Sequence, residues 1–220
     1  MDIGEALYSS NSTSWKKRMG LIIVIRDLLM FRRHAFHNLL HYLFEAKFTL
    51  FLLLLNIALF LFLPAIEFFP KDLATTSFYT LFASLFFHLN NVHLLNNMIG
   101  LWLFGRALEK RLGVWKMVLV YVVAGVFSQL VYAAMYWPSN TPVMGASGAI
   151  MGLVATGMIL MPFHVIYELI TPLPLVVYGW IGVVMDLFGL LSGVPGVAHV
   201  AHLAGFASGY FIVELLNIQH

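Results

Sequence analysis

The feature of this sequence that most restricts its fold is a series of long apolar stretches with almost no charged residues. No Lys or Arg follows Lys116, and the stretch from Met117 to Tyr136 contains no charged residue. In soluble domains about a quarter of the residues are usually charged. Here 10% of the 220 residues are charged and 61% are apolar. Stretches of this kind are typical of helices that cross a bilayer. The sequence therefore predicts an all-α integral membrane protein.

Six apolar stretches have about the length of membrane-spanning helices. They run from about Phe48 to Ile66, Val92 to Leu108, Met117 to Trp137, Gly145 to Met161, Pro174 to Leu191 and Val197 to Ile218. The sequence therefore predicts two parts of the chain, an N-terminal cytoplasmic or juxtamembrane segment (1–47) and a six-span domain (48–220). In the first part, the apolar run from Met19 to Phe31 is too short to cross about 30 Å of hydrocarbon. It predicts a membrane-surface helix, or alternatively part of a small cytoplasmic subdomain.

The basic residues predict the orientation of these spans. Eleven of the twelve Lys and Arg lie in the N-terminal segment or in the loop after the second span. Both regions are therefore expected to face the cytoplasm. The loop between the first two spans has Lys71 as its one basic residue and is rich in aromatic residues. We expect this first outer loop to be partly embedded in the membrane. Spans two, four and six then all begin at the outer face.

Polar side chains lie near the outer ends of those three spans. The fourth span contains Ser147, the sixth contains His199 and His202, and the second contains His93 and Asn97. The last two are four residues apart and share a helix face. Ionisable and amide side chains at membrane depth are costly, so they indicate a functional site or a water-filled cavity. Taken singly, each is also compatible with packing or with hydrogen bonds between helices.

The combination of these residues matches the requirements of nucleophilic catalysis. A serine nucleophile needs a nearby base and hydrogen-bond donors aimed at the developing oxyanion. Ser147, His202 and the face formed by His93 and Asn97 supply these groups at matched depth. Small residues allow close helix packing, and glycines are expected to pack the fourth span against the sixth. They are Gly145, Gly148, Gly152, Gly205 and Gly209.

Carboxylates are few, so the sequence favours a Ser–His dyad. Glu168 belongs to a cytoplasmic loop, and Glu214 lies about 18 Å along the sixth span from His202 at 1.5 Å per residue. Asp186, near the outer end of the fifth span, could reach His202, but a dyad is the simpler assignment. No HExxH motif occurs and no carboxylate is expected beside the histidines, so neither a metal site nor a cofactor is predicted.

Four motifs together resemble the rhomboid family of intramembrane serine proteases, in its six-span bacterial form. "GASG" at 145–148 resembles the family's GxSG, and "AHLAGFASG" at 201–209 resembles its AHxxGxxxG. "HLNNVHLLNN" at 88–97 resembles the family's second-span pattern, and "ALEKRLG" at 107–113 resembles the segment that closes that span. The resemblance covers about residues 48–218.

The resemblance implies a six-helix rhomboid-like bundle and a role for each site residue. Ser147 would be the nucleophile and His202 the general base. His93, Asn97 and the backbone N–H of Ser147 would form the oxyanion hole. The expected substrates are single-pass transmembrane proteins whose helix unwinds locally into the site. The expected surroundings are membrane lipid, in a bacterial inner membrane with the N-terminus in the cytoplasm, and no nucleic acid is expected as a partner.

The chain departs from the family pattern in three places, one of which is a somewhat longer loop between Asp186 and His202. In the first outer loop the family often has Trp-Arg, whose arginine partners the glutamate of the "EKRLG" segment, but here the stretch reads Phe78-Tyr79-Thr80. Four residues after the nucleophile many members have tyrosine, where this chain has Met151. The sequence thus leaves open which group pairs with Glu109.

Three other functions are compatible with parts of the pattern. A non-catalytic rhomboid-like protein would bind client helices, but it should lack Ser147 or His202. A transporter or proton channel would use the histidines as a relay and show flux without proteolysis. A metalloprotease would need a metal-binding motif such as HExxH, which the sequence does not contain.

Overall fold

The computed structural model describes residues 42, 44–74, 78–167 and 172–215. The chain divides into two compact units, Met1–Glu45 and Ala46–His220, and nearly all described residues belong to the second. The helix expected over Met19–Phe31 lies outside the described residues. The predicted division of the chain after residue 47 stays a prediction.

The described residues form mainly helices. These are α1 (Lys47–Phe62), α2 (Phe78–Ala83), α3 (Asn91–Gly100), α4 (Arg106–Leu112), α5 (Val114–Tyr136), α6 (Ser147–Leu160), α7 (Leu175–Leu191) and α8 (His199–Leu215). Short 3₁₀ turns, Pro70–Ala74 and Ser84–Phe86, flank α2, and a π-helical turn, Leu101–Gly105, joins α3 to α4. Two strands, β1 (Val165–Ile166) and β2 (Leu173–Pro174), pair antiparallel between α6 and α7.

Each predicted span overlaps one or more of these helices, but their number as membrane crossings stays a prediction. Among the described residues, one helix, α5, is long and apolar enough to cross a membrane by length and composition. The apolar helices α1, α6 and α7 are shorter. With 14 residues, α6 rises only about 21 Å at 1.5 Å per residue. The structure therefore confirms a mainly helical fold.

Several predicted span boundaries differ from the helix ends, and two of them have a clear local reason. The first helix ends at Phe62 instead of Ile66, because Leu63 is extended (φ −126°, ψ 148°). Pro64 follows Leu63, and the residue before a proline is sterically kept out of the α region. The fourth span begins at Ser147 instead of Gly145, because Gly145 has a φ of +111°, which does not belong to a right-handed helix.

Helix α6 lies at the centre of the fold and contacts α5, α7 and α8. Most of its residues are buried, on every side of the helix. A helix that is apolar all round is expected to be an interior one. Many of its residues are glycine or alanine, so neighbouring backbones can come close. The central position of α6 therefore follows from its small, uniformly apolar side chains.

Glycines set the contact between α6 and α8. A Cβ atom on Gly205 would collide with the carbonyl oxygen of Gly148, and one on Gly209 would collide with that of Gly152. On the other side of α6, a Cβ on Gly148 would meet the Ser128 side chain of α5. Four glycines thus bring two helix backbones together with no side chains between them. Gly145, expected among these packing residues, lies before the helix and contacts His93 instead.

Glu109 fastens α4 to the beginning of α1. Its carboxylate accepts hydrogen bonds from Phe48 N (2.9 Å) and from both Thr49 N and Thr49 Oγ1 (2.7 Å each). The first N–H groups of a helix have no partner within that helix, and the helix dipole favours an anion there. The buried Glu109 is thus satisfied without a cation from the first outer loop.

The first outer loop is held by backbone hydrogen bonds to the segment before α6. Phe68 and Val143 exchange both N–H···O bonds (3.3 and 2.9 Å), and Gly145 N donates to Ser84 O (2.9 Å). The Phe68 side chain is buried, whereas Tyr79 and Phe82 are exposed. This anchoring positions the turn that leads into Ser147. Whether the loop is embedded in a membrane stays a prediction.

Candidate active site

Ser147 is the first residue of α6, at the point where the chain turns into the helix. Gly145 makes this turn with its positive φ, and Ala146 precedes the helix. The N–H groups of a first helical turn lack partners within the helix and point toward any group placed at its end. The helix dipole also favours negative charge there. A hydroxyl at this position is therefore close to backbone donors that could stabilise an anion.

His202 lies in the first turn of α8, beside Ser147. Its Nε2 is 2.8 Å from Ser147 Oγ, which is hydrogen-bond distance. The close approach of α6 and α8 at Gly148 and Gly205 puts the two side chains within reach. His202 is three residues before Gly205, so it lies on the same side of α8. The arrangement allows the imidazole to accept a proton from the hydroxyl.

Asp186 of α7 contacts both histidines of α8. Its Oδ1 lies 2.9 Å from His202 Nδ1 and 2.8 Å from His199 Nδ1. Asp186 is buried, and a Cβ on Gly189, one turn further along α7, would collide with the His199 ring. Gly189 therefore makes room for that imidazole. The sequence placed Asp186 within reach of His202 but favoured a dyad; a single charge in an otherwise uncharged apolar helix is the signal that could have found it.

These three residues also form a possible metal-binding set. One ligand atom from each of Asp186, His199 and His202 lies within 4.8 Å of the others. Two imidazoles and a carboxylate are ligands that Zn²⁺ accepts. The expectation that no carboxylate accompanies the histidines is therefore wrong, because the α7–α8 packing brings Asp186 between them.

His93 lies against Gly145, close to the start of α6. A Cβ on Gly145 would be 2.7 Å from His93 Cε1 and 2.8 Å from its Nε2, so only glycine fits there. The Leu89 N–H points at His93 Nδ1 (3.3 Å). Because a neutral imidazole has one donor and one acceptor nitrogen, this contact leaves Nε2–H as the donor. That donor faces the turn before Ser147.

Asn97 lies one turn after His93 on α3 and is buried. Its Nδ2 donates to His93 O (2.8 Å), which uses one of the two amide hydrogens. At the start of the same helix, Asn90 Oδ1 accepts from His93 N (2.8 Å), as a helix-capping residue does. The two asparagines hold the helical turn that carries His93.

His88 packs beside His93 in the connection that leads into α3. The two rings meet edge to face with centroids 5.1 Å apart, and His88 is 2% exposed. Burial, followed by the proximity of His93, lowers the pKa of His88 to about 4. His88 is therefore neutral near pH 7, and it adds no positive charge beside His93.

Comparison with known proteins decides the family. The model of the Rhomboid domain matches residues 75–218, which is well over half of the chain. The chain belongs to the rhomboid family. The family predicted from the four sequence motifs is thus confirmed. Rhomboid proteins are integral membrane proteins.

Three curated rhomboid proteins illustrate the relationship. RHOMBOID-like protein 12, mitochondrial, from Arabidopsis thaliana is 27% identical over 146 residues, which are 59% of this chain and 44% of that protein. RHOMBOID-like protein 4 from the same plant is 32% identical over 128 residues, 58% of this chain and 31% of that protein. Rhomboid protease GlpG from Klebsiella pneumoniae (strain 342) is 29% identical over 136 residues, 58% of this chain and 45% of that protein. The matched region thus spans less than half of each relative.

Proposed function

We propose that this rhomboid protein is an intramembrane serine endopeptidase with Ser147 as nucleophile and His202 as general base. The observation that carries the proposal is the 2.8 Å contact between Ser147 Oγ and His202 Nε2, made at the N-terminus of a buried helix. A nucleophile hydrogen-bonded to its base, with helix N–H groups beside it, is the arrangement that acyl transfer requires.

The first chemical step is attack on a peptide carbonyl. His202 Nε2 takes the proton from Ser147 Oγ as the oxygen bonds to the carbonyl carbon. The carbonyl oxygen becomes negative and accepts hydrogen bonds from the Ser147 N–H and from His93 Nε2–H. Asn97 Nδ2 supplies a further donor. These dipoles are in place before the reaction, so they stabilise the transition state without reorganising.

The remaining steps release the two product segments. His202 gives its proton to the leaving nitrogen, the C–N bond breaks, and the substrate carbonyl stays bonded to Ser147 Oγ as an ester. A water molecule, deprotonated by His202, then attacks this ester. The bond between the carbonyl carbon and Ser147 Oγ breaks, His202 returns the proton to Oγ, and the second segment leaves with a new carboxylate. The chain needs no cofactor for this sequence.

The proposed substrates are single-pass transmembrane proteins whose helix unwinds near the outer end of α6. Two considerations support this class, namely the apolar surroundings of the site and the relationship to a rhomboid protease. An extended peptide segment is needed because helical carbonyls are already hydrogen-bonded along their helix. We further propose that the chain crosses the bacterial inner membrane six times, with its N-terminus in the cytoplasm.

Cleavage by the reconstituted protein tests the proposed function. In proteoliposomes, the protein is expected to cut a generic single-span substrate, and a serine-reactive fluorophosphonate is expected to label Ser147. Chelators should leave the rate unchanged, because no step uses a metal. Binding of the substrate without cleavage or labelling would favour a non-catalytic client-binding protein instead.

Replacing the side-chain donors on α3 is expected to slow turnover without unfolding the protein. For His93→Ala and Asn97→Ala we expect losses on the order of 10- to 1,000-fold in kcat, by analogy with other oxyanion-hole deletions. Redundancy with backbone N–H groups favours the lower part of this range. KM should change little, because the donors act mainly in the transition state.

The control for this experiment is Asn96→Ala, which removes an exposed amide next to Asn97. It should leave both kcat and the melting temperature near the wild-type values. Melting temperature and turnover are measured for all three variants and for the His93–Asn97 pair. If turnover fell only in step with the melting temperature, His93 and Asn97 would be structural residues and the oxyanion role would be wrong.

A further inference from the structure

The Asp186 carboxylate occupies a position that its charge alone would disfavour. It is the one charged residue of α7, and its side chain is 10% exposed. An ionised carboxylate in apolar surroundings is costly unless it is paired and hydrogen-bonded. Its oxygen Oδ1 meets two imidazoles, His199 and His202, which are its hydrogen-bond partners among the described residues. The pairing with α8 is therefore what stabilises Asp186 in this place.

The contact also determines which nitrogen of His202 carries the proton. An ionised carboxylate can only accept hydrogen bonds, so His202 Nδ1, at 2.9 Å from Asp186 Oδ1, must be the donor. A neutral imidazole protonated at Nδ1 has its free lone pair on Nε2. That nitrogen is the one 2.8 Å from Ser147 Oγ. Asp186 thus selects the tautomer that a general base needs.

His199 holds the carboxylate from the other side. Its Nδ1 is 2.8 Å from the same oxygen, Asp186 Oδ1, and its ring fits over Gly189 of α7. Two donors on one oxygen restrict the Asp186 rotamer, so the direction of the hydrogen bond to His202 is defined. His199 does not reach Ser147 through this nitrogen, which is engaged with Asp186.

We propose that Asp186 is a positioning residue that extends the Ser147–His202 pair to a Ser–His–Asp triad, with His199 as its brace. The proposal rests on the proposed protease function. When the Ser147 proton moves to His202 Nε2, the imidazole becomes positive, and the Asp186 carboxylate stabilises that charge while staying ionised. The proton then goes from Nε2 to the leaving nitrogen. Asp186 neither gains nor loses a proton in either step.

Substitution of Asp186 tests the proposal. Asp186→Ala removes both the acceptor and the negative charge, and we expect kcat to fall at least about 10²-fold. Asp186→Asn keeps the shape of the side chain and should fold normally. Its amide can donate to His202 Nδ1 and thereby select the wrong tautomer, so we expect a loss of up to about 10⁴-fold, as in a soluble triad. KM should stay within about twofold in both variants, because Asp186 touches no substrate. The rate of fluorophosphonate labelling at Ser147 should fall with kcat in each variant.

The matched control is His199→Gln. It changes one of the two donors to Asp186 Oδ1 and leaves the other donor, His202 Nδ1, in place. We expect it to lose less than about tenfold in kcat, since the Asp186–His202 contact remains. If kcat and the melting temperature both fell by the same amounts in His199→Gln and in Asp186→Asn, the role of Asp186 would be only to tie α7 to α8. If Asp186→Asn and Asp186→Ala both kept wild-type kcat, a dyad would suffice and the proposal would fail.

Two further results separate this proposal from its alternatives. Loss of wild-type activity on chelation, restored by Zn²⁺, would assign Asp186, His199 and His202 to a metal centre and overturn the triad. A wild-type protein that neither cleaves nor reacts with the fluorophosphonate would refute the protease function itself. Activity that depends on Ser147 but not on Asp186 would refute the triad alone.

Discussion

Ser147→Ala and His202→Ala are each expected to abolish cleavage while the protein stays folded. Removal of a nucleophile or its base in serine proteases costs on the order of 10⁴- to 10⁶-fold in kcat. The double variant should be no slower than either single variant, because the two side chains act as one unit. Turnover is measured with a single-span substrate in proteoliposomes, and the melting temperature in detergent reports folding.

Ser208→Ala is the matched control for the loss of a serine hydroxyl. Ser208 is buried on α8, and its Oγ donates to Gly205 O (2.7 Å), a carbonyl within its own helix. Its removal should cost about 1 kcal/mol or less in unfolding free energy and leave kcat within a few-fold of wild type. Near wild-type turnover by Ser147→Ala would refute the nucleophile assignment. An inactive His199→Ala beside an active His202→Ala would reverse the assignment of the base.

Gly205→Ala is expected to damage both stability and activity by forcing α6 and α8 apart. The added Cβ would meet the Gly148 carbonyl oxygen and would lie 2.8 Å from its carbon and 3.0 Å from its Cα. These are backbone atoms, so no side chain can rotate away. We expect a loss of about 1–3 kcal/mol or more in unfolding free energy, as for overpacked cores. We also expect turnover to fall about 10²-fold if Ser147 and His202 move apart by about 1 Å.

Ala207→Val is the control for Gly205→Ala, because Ala207 is an exposed residue of the same helix. It adds more volume than Gly205→Ala but should change the melting temperature and kcat little. Thermal unfolding and turnover in one detergent are compared across both variants and the wild type. A Gly205→Ala protein with unchanged melting temperature and turnover would show that the α6–α8 contact does not need this glycine.

Local patterns predicted much of the helical layout for a clear physical reason. Apolar stretches between polar turns indicate helices whatever the tertiary arrangement is. The positions of α5, α6, α7 and α8 therefore followed from composition. Errors occurred at ends governed by one residue, such as Pro64 after Leu63. The number of membrane crossings stays a prediction. Composition gives the position of an apolar helix, but its length, as in α6, depends on the residue at which the preceding turn ends.

The partner of Glu109 was left open by the sequence. Its hydrogen bonds go to backbone N–H groups of Phe48 and Thr49, which are present in every helix start and have no sequence signature. A motif comparison looks for a complementary side chain, such as an arginine, and passes over such donors. Backbone partners of this kind become evident only when two segments distant along the chain are placed together.

By itself, the sequence determined the family and the set of polar residues that the candidate site contains. The order of its motifs, the spacing of its glycines and the lone hydroxyl of Ser147 are properties of the chain that need no coordinates. The motif at 201–209 named His202 as the base, and the tertiary structure places its Nε2 against Ser147 Oγ and puts Asp186 between His199 and His202. Helical periodicity places two histidines three residues apart on nearly the same face, so it cannot choose between them. The choice depends on the rotation of α8 against α6 and α7, which packing at Gly148, Gly189 and Gly205 determines.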